Sequence, residues 1–229
     1  MKISPLGDSA LLIDFADEST DSAESLRRVL SAASALESAK IDGIVEITSA
    51  FASVALFLNS SDWDEQSLTA QVSQVIGRAG TATHFRSRRI EIPVCYDDEF
   101  ALDATRVTNE TQLSFSKIIE LHASAKFTVA CLGFIPGFPY LIGLPPALQV
   151  SRLATPRTKV PAGSVAIANA QAGIYPFESP GGWNIIGRTT LRLFDPIRTP
   201  PTLLASGDHV RFRAITRAEF DAAMVSKEK

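Results

Sequence analysis

Gly133-Phe134-Ile135-Pro136-Gly137-Phe138-Pro139-Tyr140 begins a stretch, residues 133–188, in which glycine and proline are concentrated. The stretch holds 8 of the 13 glycines and 8 of the 13 prolines of the 229-residue chain. A loop of this length is uncommon inside a compact domain, where connections rarely exceed about 15 residues. The stretch is also rich in apolar side chains, which argues against disorder. Short strands joined by tight turns, as in a β-barrel, explain both features.

The chain before this stretch has a different pattern. Short apolar strands are predicted at Leu11–Phe15, Ile44–Thr48 and Val54–Leu58. Two helices are predicted between and after these strands, because apolar residues recur there at helical spacing. The second helix is expected to end at Gly77 and Gly80, since glycine favours the left-handed conformation that closes many helices.

We therefore predict an α+β protein with two domains. Residues 1–90 form a small α/β sandwich with helices on one face of a mostly antiparallel sheet. Residues 91–229 form a β-barrel domain that includes a connecting helix over Ser114–Ala123. Strands of this domain are predicted at Ser164–Ala168, Asn184–Ile186, Thr190–Phe194 and His209–Arg213. His122 shares a face of that helix with apolar side chains, so it is expected to point inward. A buried structural histidine is favoured over a proton-transfer residue beside the barrel motif.

The composition excludes several classes of protein. The formal charge of −3 and the sequence pI of about 5.7 exclude a generally basic, nucleic-acid-binding surface. Two cysteines, Cys95 and Cys131, and three histidines without Cys-x-x-Cys spacing argue against a disulfide framework and a zinc site. Both thiols are expected to be buried and reduced. The chain shows neither a signal peptide nor a run approaching ~18 apolar residues. We expect a cytoplasmic protein with no metal, no nucleic-acid partner and no membrane partner.

The glycine-rich stretch is locally cationic. Four of its charged residues are positive and one is negative: Arg152, Arg157, Lys159, Glu178 and Arg188. Glycine lets backbone N–H groups approach an anion closely. Arg157 and Arg188 can each bind a carboxylate or a phosphate through two hydrogen bonds. An anion-binding site is one interpretation of this pattern, and scattered surface charges are the other.

Standard motifs for nucleotide binding and serine hydrolysis are absent from the sequence. It contains no GxxxxGK[ST], no GxGxxG between a strand and a helix, and no GxSxG. Ser164 and Ser179 lie among glycine and proline and are interpreted as turn residues rather than nucleophiles. Trp183 follows Gly181-Gly182 and either stacks on a planar ligand or packs at the rim of the core.

Three long motifs, in this order, resemble the family of KipI, allophanate hydrolase subunit 1 and the 5-oxoprolinase B subunit. The first is the stretch at 133–140 quoted above. The second is Thr155-Pro156-Arg157 followed by Val160-Pro161-Ala162-Gly163-Ser164-Val165. The third consists of Gly173-Ile174-Tyr175-Pro176, Glu178-Ser179-Pro180-Gly181-Gly182-Trp183 and Ile186-Gly187-Arg188-Thr189. The resemblance extends essentially from end to end, with departures at Phe127, Ile142, Ser151 and Ala172.

This resemblance implies a fold, an activity and partners. The fold would be a small α/β domain followed by a cyclophilin-like β-barrel. The activity would be that of the B subunit of a 5-oxoprolinase, which opens 5-oxo-L-proline to L-glutamate while hydrolysing ATP. The partners would be a KipA-like C subunit, together with a LamB/YcsF-like A subunit, and ATP would be bound by the complex. Because amide resonance makes a lactam a poor electrophile, phosphorylation of its oxygen explains the need for ATP.

The motifs supply the candidate residues for binding substrate or phosphate, while catalytic residues stay unassigned. These candidates are Phe134, Pro136, Gly137, Arg157, Gly163, Ser164, Tyr175, Glu178, Ser179, Gly181, Gly182, Trp183 and Arg188, with His122 as a further candidate. The isolated chain is expected to be inactive, since it lacks a phosphate-binding motif of its own.

Two alternative functions stay open. The chain resembles KipI-type inhibitors of sensor histidine kinases, in which case its proline-rich loops would form a protein-binding surface. It also resembles subunits of biotin-dependent carboxyltransferases of the urea carboxylase and allophanate hydrolase type. That function needs a biotinylated partner, because this chain shows no biotin-acceptor segment.

Overall fold

The structure, a computed structural model, describes residues 1–16, 22–60, 62–79 and 87–226. It divides into two compact units, Met1–Arg86 and Ser87–Lys229. The first unit is built on an open sheet and the second on a closed barrel, so the predicted α+β class and the barrel are confirmed.

The first unit contains four strands and two helices among the described residues. In chain order they are β1 (Lys2–Pro5), β2 (Ala10–Asp14), α1 (Ser22–Ala39), β3 (Ile44–Ser49), β4 (Ser53–Leu58) and α2 (Glu65–Ala79). The strands form an antiparallel sheet in the order β1-β2-β4-β3. The sequence analysis predicted the other five elements but not β1, whose four residues include a single strongly apolar one, Ile3.

The core of the first unit lies between the sheet and its helices. Leu11 and Ile13 on β2, Leu56 on β4, Val29 on α1 and Val72 on α2 are buried and pack in one cluster. Alternation along the strands and helical spacing along the helices place these side chains on facing surfaces. The predicted apolar stripes of both helices are the surfaces that meet the sheet.

Helix α2 differs from its prediction at its C-terminal end. It continues through Gly77 to Ala79, so Gly77 does not end it. A single glycine inside a helix costs only about 1 kcal/mol relative to alanine, which the packing of Val72 and its neighbours outweighs. Gly80 lies outside the described residues. At the other end, the Asp64 carboxylate accepts a hydrogen bond from the Gln66 N–H at 3.0 Å and caps the first turn.

The second unit carries the remaining strands and α-helices, together with a short 3-10 helix at Pro146–Leu148. In chain order they are β5 (Arg89–Cys95), α3 (Ala104–Thr111), α4 (Phe115–Ser124), β6 (Phe127–Leu132), β7 (Pro139–Ile142), β8 (Arg157–Val160), β9 (Ser164–Ala168), β10 (Gln171–Ile174), β11 (Ser179–Gly181), β12 (Asn184–Arg188), β13 (His209–Ile215) and α5 (Arg217–Val225).

Seven of these strands close into a barrel in the order β10-β7-β6-β13-β5-β12-β9, with β9 pairing back to β10. β5 runs parallel to β13, and the other pairs are antiparallel. β8 and β11 form a separate two-stranded ribbon. Because β5 pairs with β13 and β12, it belongs to the barrel, and the second unit begins at Ser87 rather than after residue 90.

Two parts of the second unit differ from the sequence-based expectation. Thr190–Phe194 is not a strand; only Phe194 makes an isolated bridge, to Thr202. Helix α3 was not predicted, because Val107 is its only buried residue and its apolar pattern is correspondingly weak. The predicted helix at 114–123 is confirmed as α4, and the Ser114 hydroxyl caps it by accepting from the Lys117 N–H.

A tight turn joins β9 to β10 and helps to shape the candidate site. Ala168 pairs with Gln171, which leaves Asn169 and Ala170 as the two turn residues. Asn169 has φ 50°, in the left-handed region that asparagine tolerates better than most residues. This turn places Asn169 and Gln171 beside the ribbon of β8 and β11. Within the described residues, no helix combines the length and the apolar character that crossing a bilayer requires.

Candidate ligand-binding site

A cavity of about 320 Å³ lies where the loop before β7, the β9–β10 turn and the ribbon of β8 and β11 meet. We call it the aromatic cavity, because five aromatic side chains line it. Its lining residues are Phe134, Phe138, Tyr140, Arg152, Pro156, Asn169, Gln171, Tyr175, Pro180, Gly181, Gly182 and Trp183. A volume of this size lies at the lower end of the ~300–1,000 Å³ typical of small-molecule sites.

The aromatic side chains support one another through edge-to-face contacts centred on Phe138. Its ring centroid lies 5.1 Å from that of Tyr140, 5.2 Å from that of Tyr175 and 5.6 Å from that of Trp183. Tyr140 and Trp183 are 5.8 Å apart. Edge-to-face pairs are the favoured geometry for aromatic rings, so these walls form a rigid, preorganised surface.

Phe134 stands apart from the other walls because it is exposed. It has φ 67°, a conformation that is uncommon for a residue with a bulky side chain, and 59% of its surface is accessible. The loop is held by the Phe138 N–H donating to the Ile135 carbonyl and by the Gly133 N–H donating to the Phe138 carbonyl, both at 3.1 Å. The loop therefore holds an aromatic ring at the rim of the cavity.

The polar groups of the cavity favour binding over acid–base chemistry. Burial raises the pKa of both the Tyr140 and Tyr175 phenols, so both are protonated at neutral pH. Asn169 and Gln171 contribute amides, and Arg152 contributes the one charged side chain of the described lining. That lining contains no carboxylate, histidine or cysteine, and the described residues contain no cluster of three or more metal-ligating side chains.

The structure brings together five of the residues singled out in the sequence. Phe134, Tyr175, Gly181, Gly182 and Trp183 all line the aromatic cavity. They come from the first and third motifs, which are distant in sequence and meet because β10 pairs with β7.

Pro136 and Gly137 belong to the same loop as Phe134, but they do not line the cavity. Gly137 packs against Phe194 and Leu193. These two residues therefore shape the loop that carries Phe134.

A second group of predicted residues lies elsewhere. Gly163 and Ser164 lie at the start of β9, where Ser164 pairs with Arg188 on β12. The Arg188 Nε atom donates to the Ala162 carbonyl at 2.8 Å, and its guanidinium lies 5.8 Å from the centre of the Phe100 ring. Burial lowers the pKa of Arg188. Extended chain rises about 3.3 Å per residue, so about 16 Å of strand separates Arg188 from Trp183.

Arg157 is engaged with an internal carboxylate rather than directed into the cavity. Its Nη2 atom donates to Asp103 Oδ1 at 2.7 Å, and the other Asp103 oxygen accepts from the Ile185 N–H at 2.7 Å. Asp103 is 6% exposed, so the pair is largely shielded from water. Arg157 Nη1 is buried without a partner among the described residues. This ion pair ties the ribbon to the start of α3.

The remaining two motif residues lie on or beside the ribbon. Glu178 pairs with Lys159 at 3.1 Å, and both side chains are exposed, so the pair adds little stability. Ser179 is buried, and its hydroxyl has no partner among the described residues.

His122 lies in the barrel core and not at the aromatic cavity. Its ring stacks on Phe212 with centroids 4.4 Å apart, and its Nδ1 atom lies 2.8 Å from the Tyr96 hydroxyl. Its Nε2 atom is buried and has no partner among the described residues. Burial lowers the pKa of His122 to about 3, so the ring is neutral at physiological pH. The expectation of an inward-facing histidine is confirmed.

Both cysteines are free and buried, as expected from the sequence. Burial raises the pKa of the Cys131 thiol to about 11 and also raises that of Cys95. Neither thiol is therefore ionised at neutral pH, and neither has the character of a nucleophile.

The sequence analysis missed several cavity residues. Phe138 and Tyr140 stand in the first motif, and Pro156 and Pro180 stand in the others, so the motifs contained a signal for them. Arg152 appeared only in the charge count, because it lies between motifs. Asn169 and Gln171 carry no sequence signal for ligand binding, and they reach the cavity only because the β9–β10 turn places them there.

Three other grooves are larger but lack this combination of features. One, of about 510 Å³, lies in the first unit around the end of α1 and the start of β3. A second, of about 580 Å³, lies along β5, β6 and β13. The third, of about 680 Å³, lies along α3 and the residues just before it. None of the three contains residues of the glycine-rich motifs, so the aromatic cavity is the candidate site.

Comparison with known proteins shows the family of the chain and several relatives. Residues 1–204 match the model of the family described as "Carboxyltransferase domain, subdomain C and D". The chain is 36% identical to the B subunit of 5-oxoprolinase of Bacillus subtilis over 96% of its own length and 95% of the relative. It is 52% identical to the B subunit of 5-oxoprolinase of Haemophilus influenzae over 56% of its length and 60% of that protein.

A solved structure is similar over most of the chain. The crystal structure of TTHA0988 matches 90% of this chain with a TM-score of 0.77 and 34% sequence identity. The match covers 40% of TTHA0988, so this chain corresponds to less than half of that protein.

Proposed function

The chain belongs to the carboxyltransferase-domain family with subdomains C and D. Since it is also similar to proteins named as the B subunit of 5-oxoprolinase, we propose that it is the B subunit of such an enzyme. The reaction proposed for the complex opens 5-oxo-L-proline to L-glutamate while ATP is hydrolysed. The end-to-end match to the Bacillus subtilis protein carries this proposal.

The aromatic cavity suits the substrate of such an enzyme. 5-Oxo-L-proline is a small ring with a planar amide, and the rings of Tyr140 and Trp183, which meet edge to face, offer apolar surfaces against which it can pack. The Asn169 and Gln171 amides of the lining can donate hydrogen bonds to the lactam oxygen. Binding of the ring in this cavity is therefore the role that we propose for this chain.

The same cavity does not fit ATP. Polyphosphate sites need several cationic or backbone N–H donors and carboxylates that hold magnesium. The described lining of the cavity contains one cation, Arg152, and no carboxylate. We therefore propose that other subunits bind the nucleotide and that this chain takes no direct part in phosphoryl transfer.

Because we assign nucleotide binding to other subunits, we expect the chain to be inactive alone. Hydrolysis of a lactam needs groups that accept and donate protons, and the described cavity contains no such group with a pKa near neutrality. We propose that a KipA-like protein and a LamB/YcsF-like protein, the C and A subunits of the complex, supply these groups.

The family description also favours a second candidate, a carboxyltransferase subunit. Such a protein would pass a carboxyl group between biotin on a partner and an acceptor such as urea. The cavity is compatible with a small planar acceptor, but the names of the relatives favour 5-oxoproline.

The proposal is tested by reconstitution. The chain is co-expressed with candidate A and C subunits from the same source, and the purified complex is assayed for phosphate and L-glutamate released from 5-oxo-L-proline and ATP. We expect both products in equal amounts from the complex and neither from the purified chain. Complexes that each lack one of the three proteins serve as controls.

Three results would contradict the proposal. Turnover by the isolated chain would refute the assignment of catalysis to the complex. A complete complex that leaves 5-oxo-L-proline intact would refute the proposed reaction. Carboxylation of urea with biotin-dependent ATP consumption would support the second candidate instead.

A further inference from the structure

Arg152 is the unpaired cation of the aromatic cavity. It is exposed at the cavity wall, and among the described residues it has neither an ion-pair partner nor a hydrogen-bond partner. The neighbouring arginines differ from it in this respect. Arg106 is bound to Glu110 and Asn184, Arg157 to Asp103, and Arg188 to the Ala162 carbonyl. Arg152 is therefore the guanidinium that stays available to a ligand.

The backbone on the N-terminal side of Arg152 is held by an unusually complete set of hydrogen bonds. The Ser151 N–H donates to Glu110 Oε1 at 2.6 Å, and the Ser151 hydroxyl accepts from Arg106 Nη2 at 2.9 Å. The Ser151 carbonyl accepts from Asn184 Nδ2 at 2.8 Å. Every polar group of Ser151 is thus bound by α3 or by β12.

The backbone on the C-terminal side is also fixed. The Leu153 N–H donates to the Gly182 carbonyl at 2.8 Å, which ties this segment to the residue before Trp183. Arg152 is therefore anchored on both sides while its own side chain has no partner among the described residues. An anchored backbone with a free guanidinium beside an aromatic wall is the arrangement of a preorganised anion-binding group.

We propose that Arg152 binds the carboxylate of a small cyclic acid whose ring lies against Trp183 and Tyr140. We further propose that Glu110 and Arg106 are positioning residues, which act by holding Ser151. A guanidinium binds a carboxylate through two parallel hydrogen bonds, so this contact selects for ligands that carry the acid group. The identification of the acid as 5-oxo-L-proline rests on the proposed function.

The first test measures discrimination between ligands by the reconstituted complex. Binding of 5-oxo-L-proline is compared with binding of 2-pyrrolidinone, which has the same ring without the carboxylate. For Arg152→Gln we expect the dissociation constant and the KM for 5-oxo-L-proline to rise about tenfold or more, with a much smaller change in kcat. Affinity for 2-pyrrolidinone should not change. Arg152→Lys should restore part of the loss.

Arg211→Gln is the matched control for loss of an exposed arginine. Arg211 lies on β13 and lines a different groove, so this variant should discriminate between the two ligands as the wild type does.

The second test addresses the positioning residues. Glu110→Ala removes the acceptor of the Ser151 N–H, whereas Glu110→Gln keeps an acceptor oxygen of similar geometry. We expect the alanine variant to lose affinity for 5-oxo-L-proline but not for 2-pyrrolidinone, and the glutamine variant to recover most of it. Equal loss for both ligands would show a merely structural role.

The outcomes separate this inference from the proposed function. If the complex hydrolyses 5-oxo-L-proline and Arg152→Gln has the wild-type KM, the role of Arg152 is refuted and the proposed function stands. If the complex binds the acid through Arg152 without hydrolysing it, the proposed function is refuted and the carboxylate site stands. Absence of any Arg152-dependent binding of 5-oxo-L-proline refutes the carboxylate site.

Discussion

His122 shows how burial decides the role of a single titratable residue. Its ring is fully enclosed between Phe212 and Phe127 and makes one hydrogen bond, with the Tyr96 hydroxyl. Charging this ring would place an ion in an apolar core, which explains why the pKa of His122 falls from 6.5 to about 3. We therefore expect His122 to stabilise the barrel rather than to exchange protons with a ligand.

We predict that this histidine makes the protein less stable in acid. In the unfolded chain His122 binds a proton below about pH 6.5, while in the folded chain it stays neutral down to about pH 3. The contribution of His122 to the free energy of unfolding is therefore complete above about pH 6.5 and falls as the pH decreases. At pH 5 the loss is about 2 kcal/mol relative to pH 7.5.

Denaturant unfolding of the wild type and of His122→Asn at several pH values checks this prediction. The variant should be about 2 kcal/mol less stable at pH 7.5, with a flatter pH profile and near-normal turnover in the complex. His209→Asn, which changes an exposed histidine of β13, is the control and should follow the wild-type profile. A normal melting temperature with a roughly hundredfold slower reaction would show instead that His122 transfers protons.

At the scale of elements, the ribbon of β8 and β11 forms one wall of the aromatic cavity. Its position is set from both sides. Arg157 on β8 is tied to Asp103 at the start of α3, and Gly181 on β11 lies directly against the Tyr175 ring. A side chain at position 181 would overlap the Tyr175 hydroxyl, so the absence of a Cβ lets the ribbon approach the barrel.

We predict that Gly181→Ala disrupts this wall. The added Cβ would overlap the Tyr175 hydroxyl and lie 2.7 Å from Cζ, and Tyr175 is 1% exposed and has little room to move. The variant should lose about 1–3 kcal/mol of stability and most of its ligand affinity. Thermal unfolding and ligand titration of the complex measure the two effects.

Gly182→Ala is the control for this substitution. The nearest atom to its Cβ would be Pro156 Cγ at 3.5 Å, an ordinary contact, so its stability should stay within about 0.5 kcal/mol of the wild type. If the two alanine variants behaved alike, close approach of β11 to Tyr175 would not be what shapes the cavity.

At the scale of the whole molecule, the two units have separate hydrophobic cores. The cluster of the first unit is formed by residues between Leu11 and Val72, and the clusters of the second unit are formed by residues from Ile92 onward. Each cluster is complete within its own segment of the chain, which is the property expected of a domain.

We therefore predict that residues 87–229 fold as an independent fragment. Trp183 is 8% exposed and is the one tryptophan of this fragment, so its fluorescence reports on the barrel. Thermal or urea unfolding of the fragment should show one cooperative transition with a change in Trp183 emission. Gradual unfolding without a cooperative transition would show that the barrel depends on the first unit. Trp183→Phe in the fragment is the control for the source of the signal.

Local patterns in the sequence determined much of this fold. Helical spacing predicted α1, α2 and α4, and β9 was predicted with the bounds that the structure shows. These features depend on residues close in sequence, because helix periodicity and turn chemistry act over a few residues. The three long motifs resemble a known family, and this resemblance predicted both the family and its cyclophilin-like barrel. Helix α3 and strand β1 were not predicted, because each contains few apolar residues.

Only the tertiary structure decided which side chains form the site. All three arginines of the glycine-rich stretch could bind an anion, and the motifs favoured Arg157 and Arg188, but strand pairing separates them. Arg152 lines the cavity, Arg157 is bound to Asp103, and Arg188 lies at the end of β12, about 16 Å of chain from Trp183. The parallel pairing of β5 with β13 places Arg89 opposite His209. The sequence around either strand likewise gives no signal for this pairing. Such contacts depend on the register of distant strands, where a shift of one residue turns every side chain to the opposite face. The sequence therefore determines most of the elements and their turns, while the closure of the barrel determines which arginine lines the aromatic cavity.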